Sequence, residues 1–463
     1  MTSAINARLN PVSPAARRPT RVRYGVMGFL CVLSFLTYFD RLCIMRAQPM
    51  IETDLHITHA QMGVIFGVFW LAYALFELPG GWMGDRFGAR STLTRVVLAW
   101  SLFTALSGTA TGFFSLLTLR FLFGVGEAGA YPNIARVQSR WLPASAQGRA
   151  SGILWLVARW GGALSPLLFG MLMREFDSPG FRSLAKTTAI LRPLVTLQSW
   201  RLGFFACGFA GLVWVAFFFP WFHDNPADHP SVNEAELSVI GGGKPIKPHA
   251  TRDGKVWLAL VSSPSLWGLS MVYVFGSFGW SFFVSWMPKF LLDVHHISFK
   301  DSEWMSAMPM LCGGVTCLIG GFVSDAIVKR TGRKRFGRAV FPVVGHVIAA
   351  VAIFGLRYVH TPLQAVVLMS VTMAAYDLGL GAKWAAIIDI GGVHSGIAAG
   401  FVNMLGNLGG NTLQPIIGAM IFHRWGWGTL FTVYSAMYLL AAAMYLFIHP
   451  DHVFYEEDAD RAA

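Results

Sequence analysis

The chain has 463 residues, of which 54% are hydrophobic and only 13% are charged, whereas roughly a quarter of the residues in an average soluble domain are charged. This composition excludes an ordinary soluble globular protein. The formal net charge of +12 is compatible with nucleic-acid binding, but the basic residues lie in short loops between long apolar stretches. That pattern is typical of membrane topology, so we expect a single polytopic membrane domain.

Twelve apolar stretches are long enough to cross a bilayer, since a spanning helix needs about 20 mostly apolar residues. In chain order these spans are residues 26–45, 62–83, 92–108, 114–137, 148–173, 202–222, 266–291, 302–328, 339–355, 365–388, 396–422 and 428–447. A tail at 1–24 precedes them, and a polar linker at 223–256, with a short surface helix expected in it, separates spans 6 and 7. The sequence therefore predicts an all-α membrane protein with twelve transmembrane helices in two six-helix bundles, at 25–222 and 257–449, followed by a tail at 450–463.

The distribution of lysine and arginine predicts the orientation of the spans. Most of these residues lie on the side of the membrane that holds the N-terminal tail and the central linker. The positive-inside rule therefore predicts cytoplasmic termini. We expect a multi-pass protein of a bacterial inner membrane. Half of the basic residues on the other side come from residues 174–201, and we interpret residues 177–199 as an external insertion, either a short amphipathic helix or a loop.

The two halves share a glycine-rich motif. The sequence after span 2 reads GGWMGDRFGAR at 80–90, and the sequence after span 8 reads GGFVSD at 320–325. In both, a glycine precedes an aspartate by four residues. Small residues allow helices to pack closely, and an aspartate with nearby arginines can bond helix ends. We interpret the motif as a gate, with a short polar turn as the alternative. The predicted gating residues are Gly81, Asp85, Arg86, Gly88, Arg90 and Asp325.

Charged residues inside the spans are the main functional candidates, because an unpaired charge in the bilayer is costly. The ionisable residues within the spans are Asp40, Arg41, Glu77, Arg120, Glu127, Arg159, His346, Asp377 and Lys383. Guanidinium groups bind a carboxylate through two bonds, so the arginines are candidate ligands of an organic anion. The carboxylates are candidate proton carriers, because their protonation depends on nearby arginines. Alternatively, Arg41 with Glu127, or Asp40 with Arg120, are structural ion pairs.

These features resemble the major facilitator superfamily, whose hallmark loop is matched by the glycine-rich motif. Two six-helix halves in the same orientation imply a substrate site at the midplane between them. More narrowly, the chain resembles the anion:cation symporter family, which includes bacterial galactonate, hexuronate, glucarate and phthalate carriers and animal sialin-type transporters. The matching stretches are YFDR at 38–41, LRFLFGVGEAGAYPN at 119–133, NPADHPSVNEAEL in the linker, FFVSWMPKFL in span 7, DIGG at 389–392 and NMLGNLGG at 403–410.

The resemblance implies roles for four charged residues. Asp40 and Glu127 would be the proton-linked acids, and Arg41 and Arg120 would serve anion binding or its coupling to protons.

Five further residues have two possible interpretations each. Tyr73 resembles a substrate-site tyrosine and Asn403 a residue that bonds substrate hydroxyls, with core packing and a helix-to-helix amide contact as the alternatives. Trp280 is a candidate cavity-lining residue or a core aromatic. Glu77 is either a gate residue or a satisfied polar contact, and His346 fits a satisfied interior histidine better than a proton relay.

Arg159 and Lys383 add positive charge to the expected site. If both face the cavity, they exceed what a monocarboxylate needs, which favours a dianionic substrate. Asp377 is an alternative partner for Lys383, although a spacing of six residues is poor for direct contact on a helix.

We therefore predict a secondary active transporter that imports a small organic anion, such as a sugar acid, with protons by alternating access. An exporter that exchanges another small molecule for protons is the alternative. The sequence has no GxxxxGK[ST] loop, no zinc-ligand spacing and no recognisable nucleophile and base, so we expect neither ATP drive nor an enzyme. We expect no cofactor and no metal, a monomer, no nucleic acid, and the anion, protons and the lipid bilayer as partners.

Overall fold

A computed structural model describes residues 18–188, 192–241, 254–297 and 302–455, and these are almost entirely helical. Parts of both predicted tails (1–17 and 456–463), of the linker (242–253) and of the insertion (189–191) lie outside the described residues.

The helices of the first half run from α1 to α8. They are α1 (Val22–Leu55), α2 (His59–Phe87), α3 (Ala89–Ser107), α4 (Phe113–Glu127), α5 (Ala130–Trp141), α6 (Gln147–Asp177), α7 (Pro179–Thr187) and α8 (Ser199–Trp221). The predicted insertion contains the short helix α7, the first of its two alternatives. Span 4 is divided into α4 and α5 by Gly129, whose φ of 91° lies in the left-handed region that favours glycine.

The rest of the chain runs from α9 to α18. These helices are α9 (Glu234–Ile240), α10 (Gly254–Ser262), α11 (Pro264–Ser285), α12 (Met287–His295), α13 (Ser302–Thr331), α14 (Lys334–Gly355), α15 (Pro362–Leu378), α16 (Leu380–Gly391), α17 (Ser395–Asn407) and α18 (Gln414–Met444). Helix α9 is the predicted surface helix of the linker. A π-helical turn, Leu408–Leu413, joins α17 to α18, and α18 bends at Gly426. This bend separates span 11 from span 12.

The twelve predicted spans are confirmed. Among the described residues, nine stretches are long and apolar enough to cross a membrane, and one of them, Pro362–Phe447, contains spans 10, 11 and 12. Helix α3, with 19 residues, completes the set.

Two acidic side chains, one buried and one half-buried, bind the starts of two helices on one face of the bundle. The carboxylate of Glu236 in α9 accepts hydrogen bonds from the backbone N–H groups of Arg21 (2.6 Å) and Arg23 (3.1 Å) at the start of α1. Asp224 accepts from Ala89 (2.5 Å) and Arg90 (3.0 Å) at the start of α3. Free N–H groups at a helix start need such acceptors. We call this side, which holds the start of α1 and the linker, the linker face, and the other side the opposite face.

The two halves meet along two pairs of helices. Helix α6 (span 5) packs along α13 (span 8), and α2 (span 2) packs along α17 (span 11). This arrangement places spans from both halves around the midplane, where the predicted charged residues lie.

Candidate functional site: a charged cavity between the two halves

A narrow cavity lies between the two halves near the middle of the bundle. It is lined by Tyr38, Arg41, Trp70, Tyr73, Tyr131, Trp155, Arg159, Tyr273, Ser277, Trp280, Tyr376, Leu380, Asn403, Asn407 and Asn411. The predicted substrate-binding residues Arg41, Tyr73, Arg159, Trp280 and Asn403 are among them, whereas Arg120 and Lys383 are not. The wall combines aromatic rings with a few cations and amides, which is typical of a small-molecule site.

Two tryptophans contact each other on the side of the cavity nearer the opposite face. Trp70 of α2 and Trp280 of α11 pack edge to face, with ring centroids 6.4 Å apart. Because these rings come from different halves, their contact links α2 to α11 beside the cavity.

Arg41 is the cavity cation that is bonded to a predicted proton carrier. Its Nε donates to Glu127 Oε1 over 2.8 Å, and its guanidinium carbon lies 4.1 Å from the centroid of the Tyr73 ring. Arg41 Nη2 and Glu127 Oε2 are buried without a hydrogen-bond partner among the described residues. The Arg41–Glu127 pair, one of the two ion pairs considered from the sequence, is thus formed. It leaves Arg41 Nη2 as an unused hydrogen-bond donor on a residue that lines the cavity.

Asp40 and Arg120 lie in the first half, away from the cavity wall. Asp40 is 2% exposed and Arg120 is 1% exposed. Neither carboxylate oxygen of Asp40 has a hydrogen-bond partner in the described part of the chain, and Arg120 Nε and Nη1 also lack one. Arg120 instead stacks on Phe123, with its guanidinium carbon 4.3 Å from the ring centroid. The expected alternative of a direct Asp40–Arg120 pair is therefore not found, and the functional roles of both residues stay predictions.

Arg159 and Asp377 join the two halves through a bidentate ion pair. Arg159 Nε and Nη2 donate to the two carboxylate oxygens of Asp377, each over 2.7 Å. Asp377 is therefore bonded directly to Arg159 and not to Lys383: it lies across the interface from an arginine, which can match both of its oxygens. Lys383 Nζ instead lies 3.9 Å from the centroid of the Tyr273 ring. Because Asp377 neutralises Arg159, the cavity has less unpaired positive charge than we assumed when we inferred a dianionic substrate. A substrate role for Lys383 stays a prediction.

Glu77 connects α2 to a row of asparagines on the other half. Its Oε1 accepts from Asn403 Nδ2, and its Oε2 accepts from Asn407 Nδ2 over 2.9 Å. Asn411 Nδ2 donates in turn to Asn407 Oδ1 over 2.6 Å. Glu77 is thus a satisfied polar contact, which is one of the two interpretations considered from the sequence. Asn403 makes the helix-to-helix amide contact that was its alternative interpretation, and it also lines the cavity.

On the linker face, Asp85 ties the first half to the second. It accepts a hydrogen bond from Arg136 of α5 and another, over 2.7 Å, from the backbone N–H of Ile397 near the start of α17. Gly81, one turn earlier, contacts the Gly396 backbone so closely that a Cβ would overlap its carbonyl oxygen.

Asp325 makes the equivalent contact from the second half. It accepts from Arg338 over 2.7 Å and from the backbone N–H groups of Gly148 (3.0 Å) and Arg149 (2.8 Å) at the start of α6. Each motif aspartate therefore binds the N-terminal end of a helix in the other half, where the helix dipole favours an anion. These paired contacts link the two halves on the linker face, and their action as a gate stays a prediction.

The other predicted gating residues lie within the first half in this conformation. Gly88 has a φ of 87° and forms the turn between α2 and α3. Arg90 Nε donates to the backbone oxygen of Phe219 in α8 over 2.8 Å, and Arg86 is exposed beside Trp82. Their participation in gating stays a prediction.

Comparison with known proteins identifies the family. The family model "Major Facilitator Superfamily" matches residues 30–411. The chain belongs to the major facilitator superfamily. It is therefore a multi-pass membrane transporter and not an enzyme.

Similar transporters with curated names include several for organic anions. The chain is 29% identical to a probable sulfoacetate transporter, SauU, of Cupriavidus necator, over 93% of this chain and 94% of that one. It is 29% identical to a probable galactarate/D-glucarate transporter, GudP, of Bacillus subtilis (89% and 88% covered), and 28% identical to a D-galactonate transporter of Escherichia coli (94% and 97% covered). Such relatives fit the narrower resemblance to the anion:cation symporter family.

Solved major facilitator structures share the fold. The proton:xylose symporter XylE bound to 6-bromo-6-deoxy-D-glucose has a TM-score of 0.68 at 14% identity, covering 91% of this chain and 94% of that one. The transporter FucP in its outward conformation has a TM-score of 0.67, also at 14% identity, covering 92% and 99%.

We expect Gly81→Val to open the linker face of this transporter, because the added side chain cannot fit beside Gly396 when the two halves are in contact. Overpacking costs about 1–3 kcal/mol, which lowers the population of the closed state about tenfold. The measurement is disulfide cross-linking of Ser139→Cys with Ser395→Cys, whose hydroxyl oxygens lie 3.0 Å apart across the halves. The matched control is Gly67→Val, because a Cβ on Gly67 meets nothing within 4 Å. Equal cross-linking in the Gly81 and Gly67 variants would contradict the gate.

Several cavity-lining residues of this transporter were not predicted from the sequence, and two of them are asparagines. Asn407 and Asn411 line the cavity, and they follow Asn403 at intervals of four residues. This spacing puts three amides on one helical face and was a visible signal. The π-helical turn that carries Asn411 could not be seen in the sequence, because it arises where Gly409 and Gly410 pack against Val274 and Ser277 of α11.

Proposed function

We propose that this transporter imports a small organic anion of the sugar-acid type together with protons, by alternating access across the bacterial inner membrane, with the linker face in the cytoplasm. The observation that carries the proposal is the Arg41–Glu127 pair: a cavity arginine whose carboxylate partner is a candidate proton carrier, 2.8 Å away. An incoming carboxylate is recognised by the same guanidinium group that Glu127 occupies.

The charges buried within the spans support coupling to protons. The spans bury four basic residues and four acidic ones, all at most 6% exposed: Arg41, Arg120, Arg159 and Lys383, and Asp40, Glu77, Glu127 and Asp377. With all eight ionised, the set is neutral. A bound anion then adds an uncompensated negative charge in a medium where such a charge is costly, and one proton per anionic group restores neutrality.

The order of events follows from the shared guanidinium. When an anion binds Arg41, Glu127 loses part of its counter-charge and takes up a proton, because an unpaired buried carboxylate is costly. The neutral Glu127 and the bound anion then cross together. Release of the anion returns Arg41 to Glu127, which expels the proton on the same side, so anion and proton move in one direction.

The relatives support an organic anion as the cargo. The substrates after which they are named, sulfoacetate, galactarate, D-glucarate and D-galactonate, differ in hydroxyl content but are all anions. The basic residues on the linker face, including Arg140, Arg149, Lys329 and Arg330, support its cytoplasmic location.

A thermal-shift screen of the purified full-length protein tests the proposed cargo. Sugar acids, aldarates, sulfoacetate, aromatic carboxylates, neutral sugars and organic cations are compared at equal concentration. A ligand that binds only the folded state stabilises it by about 2.7 kcal/mol at 100 times its Kd. We expect a rise in Tm with one class of anion and none with neutral sugars or cations. Stabilisation by cations or neutral molecules alone would refute an anion carrier.

A further inference from the structure

Glu77 is a fully buried carboxylate that the proton-coupling account leaves without a role. It is 0% exposed, and both of its oxygens are occupied by amide N–H groups of the second half. A carboxylate can only accept hydrogen bonds, whereas an asparagine amide can present either its N–H or its oxygen. The partner therefore decides which way each amide faces.

The bonds to Glu77 leave an unused acceptor on Asn403. With Nδ2 of Asn403 directed to Glu77, its Oδ1 is buried without a hydrogen-bond partner among the described residues, on a side chain that lines the cavity. Asn407 has no such freedom: its Nδ2 donates to Glu77, and its Oδ1 accepts from Asn411. A buried acceptor without a partner is costly unless a bound molecule donates to it.

We infer that Glu77 is a positioning residue that turns the amide of Asn403 so that the amide oxygen faces the substrate. This part of the cavity therefore selects anions with hydroxyl groups over hydroxyl-free anions of the same length and charge. This inference rests on the proposed function, in which Arg41 binds the anionic group. The cavity then has a cationic donor on α1 and a hydrogen-bond acceptor on α17. Because Glu77 and Asn403 belong to different halves, the amide is held in this way only while α2 and α17 are in contact.

The test compares two six-carbon dicarboxylates, D-glucarate with four hydroxyl groups and adipate with none. Their Kd values are measured by isothermal titration calorimetry on the full-length protein and on Glu77→Gln, Asn403→Leu and the double variant. We expect the wild type to prefer D-glucarate, and Glu77→Gln to reduce that preference about tenfold, the value of one hydrogen bond to a buried acceptor. A glutamine offers its own N–H groups and so lets the Asn403 amide turn round.

The double variant separates positioning from mere structural support. We expect Asn403→Leu to lower the preference as much as Glu77→Gln does, and the double variant to lower it no further, because both changes remove the same acceptor. Loss of the negative charge of Glu77 affects both dicarboxylates alike, so the ratio of their Kd values isolates the hydroxyl contribution.

The possible failures can be told apart. If Glu77→Gln weakens both probes equally or leaves their ratio unchanged, while Arg41→Ala abolishes binding of both, the anion site stands and the positioning role of Glu77 is refuted. If Glu77→Gln does not fold, an unchanged ratio in Asn403→Leu refutes the inference by itself. If the wild type binds no anion, the proposed function is refuted and the inference with it.

Discussion

We expect Arg41→Ala to abolish anion binding and uptake, the largest single effect on the substrate site. The variant removes the guanidinium group that lines the cavity and has an unpartnered Nη2. Truncating one side of a buried hydrogen-bonded charge pair costs about 2–5 kcal/mol, a factor of about 30 or more in Kd. The measurement is equilibrium binding, followed by uptake into proteoliposomes, of the anion found in the thermal-shift screen.

The controls for Arg41 separate recognition from folding. Arg41→Ala leaves Glu127 buried without its counter-charge, so the double variant Arg41→Ala with Glu127→Gln restores neutrality and should fold yet still not bind. Arg424→Ala, which removes an exposed arginine outside the cavity, should bind normally. Normal anion affinity in the neutral double variant would show that Arg41 is not the anion ligand.

The second large effect is expected from Glu127→Gln, which should lose proton-driven accumulation but retain exchange. An inward gradient of about one pH unit is worth about 1.4 kcal/mol per proton, or about tenfold accumulation. The substituted amide is neutral before the anion arrives, so binding at Arg41 no longer requires a proton. Arg41 is also released from its carboxylate, so we expect the anion to bind more tightly.

Two assays in proteoliposomes check this expectation. Gradient-driven uptake should fall to the equilibrium level, whereas counterflow against trapped unlabelled anion should continue. The control is Glu234→Gln, which neutralises an exposed glutamate of the linker and should accumulate anion like the wild type. Full gradient-driven accumulation by Glu127→Gln would assign the coupling proton to another group, with Asp40 as the first candidate.

Hydropathy and charge were sufficient to predict the spans, because burial in lipid imposes a length and an apolar composition on every helix. The buried charges were predictable as well, since each stands out in an apolar stretch. Both motif aspartates were also predictable. The pattern of small residue, aspartate and base recurs after spans 2 and 8, and Asp85 and Asp325 make equivalent contacts.

The pairing of those charges was not predictable in the same way. Asp377 is 218 residues from Arg159 and only six from Lys383, yet it bonds the arginine. Such pairs depend on how α6 and α15 face each other, which local periodicity does not contain. Likewise, the sequence placed Arg120 with Arg41 as an anion ligand, whereas packing puts Arg120 against Phe123 and leaves Arg41 on the cavity wall.

The most direct test of the central claim is uptake of the labelled anion into proteoliposomes that contain only the wild-type protein, under an imposed inward proton gradient. The account predicts accumulation above the external concentration, its collapse on addition of a protonophore, and alkalinisation of the medium when anion is added without a gradient. Uptake that is indifferent to the proton gradient, or that follows a sodium gradient instead, would contradict proton-coupled import through the Arg41–Glu127 pair.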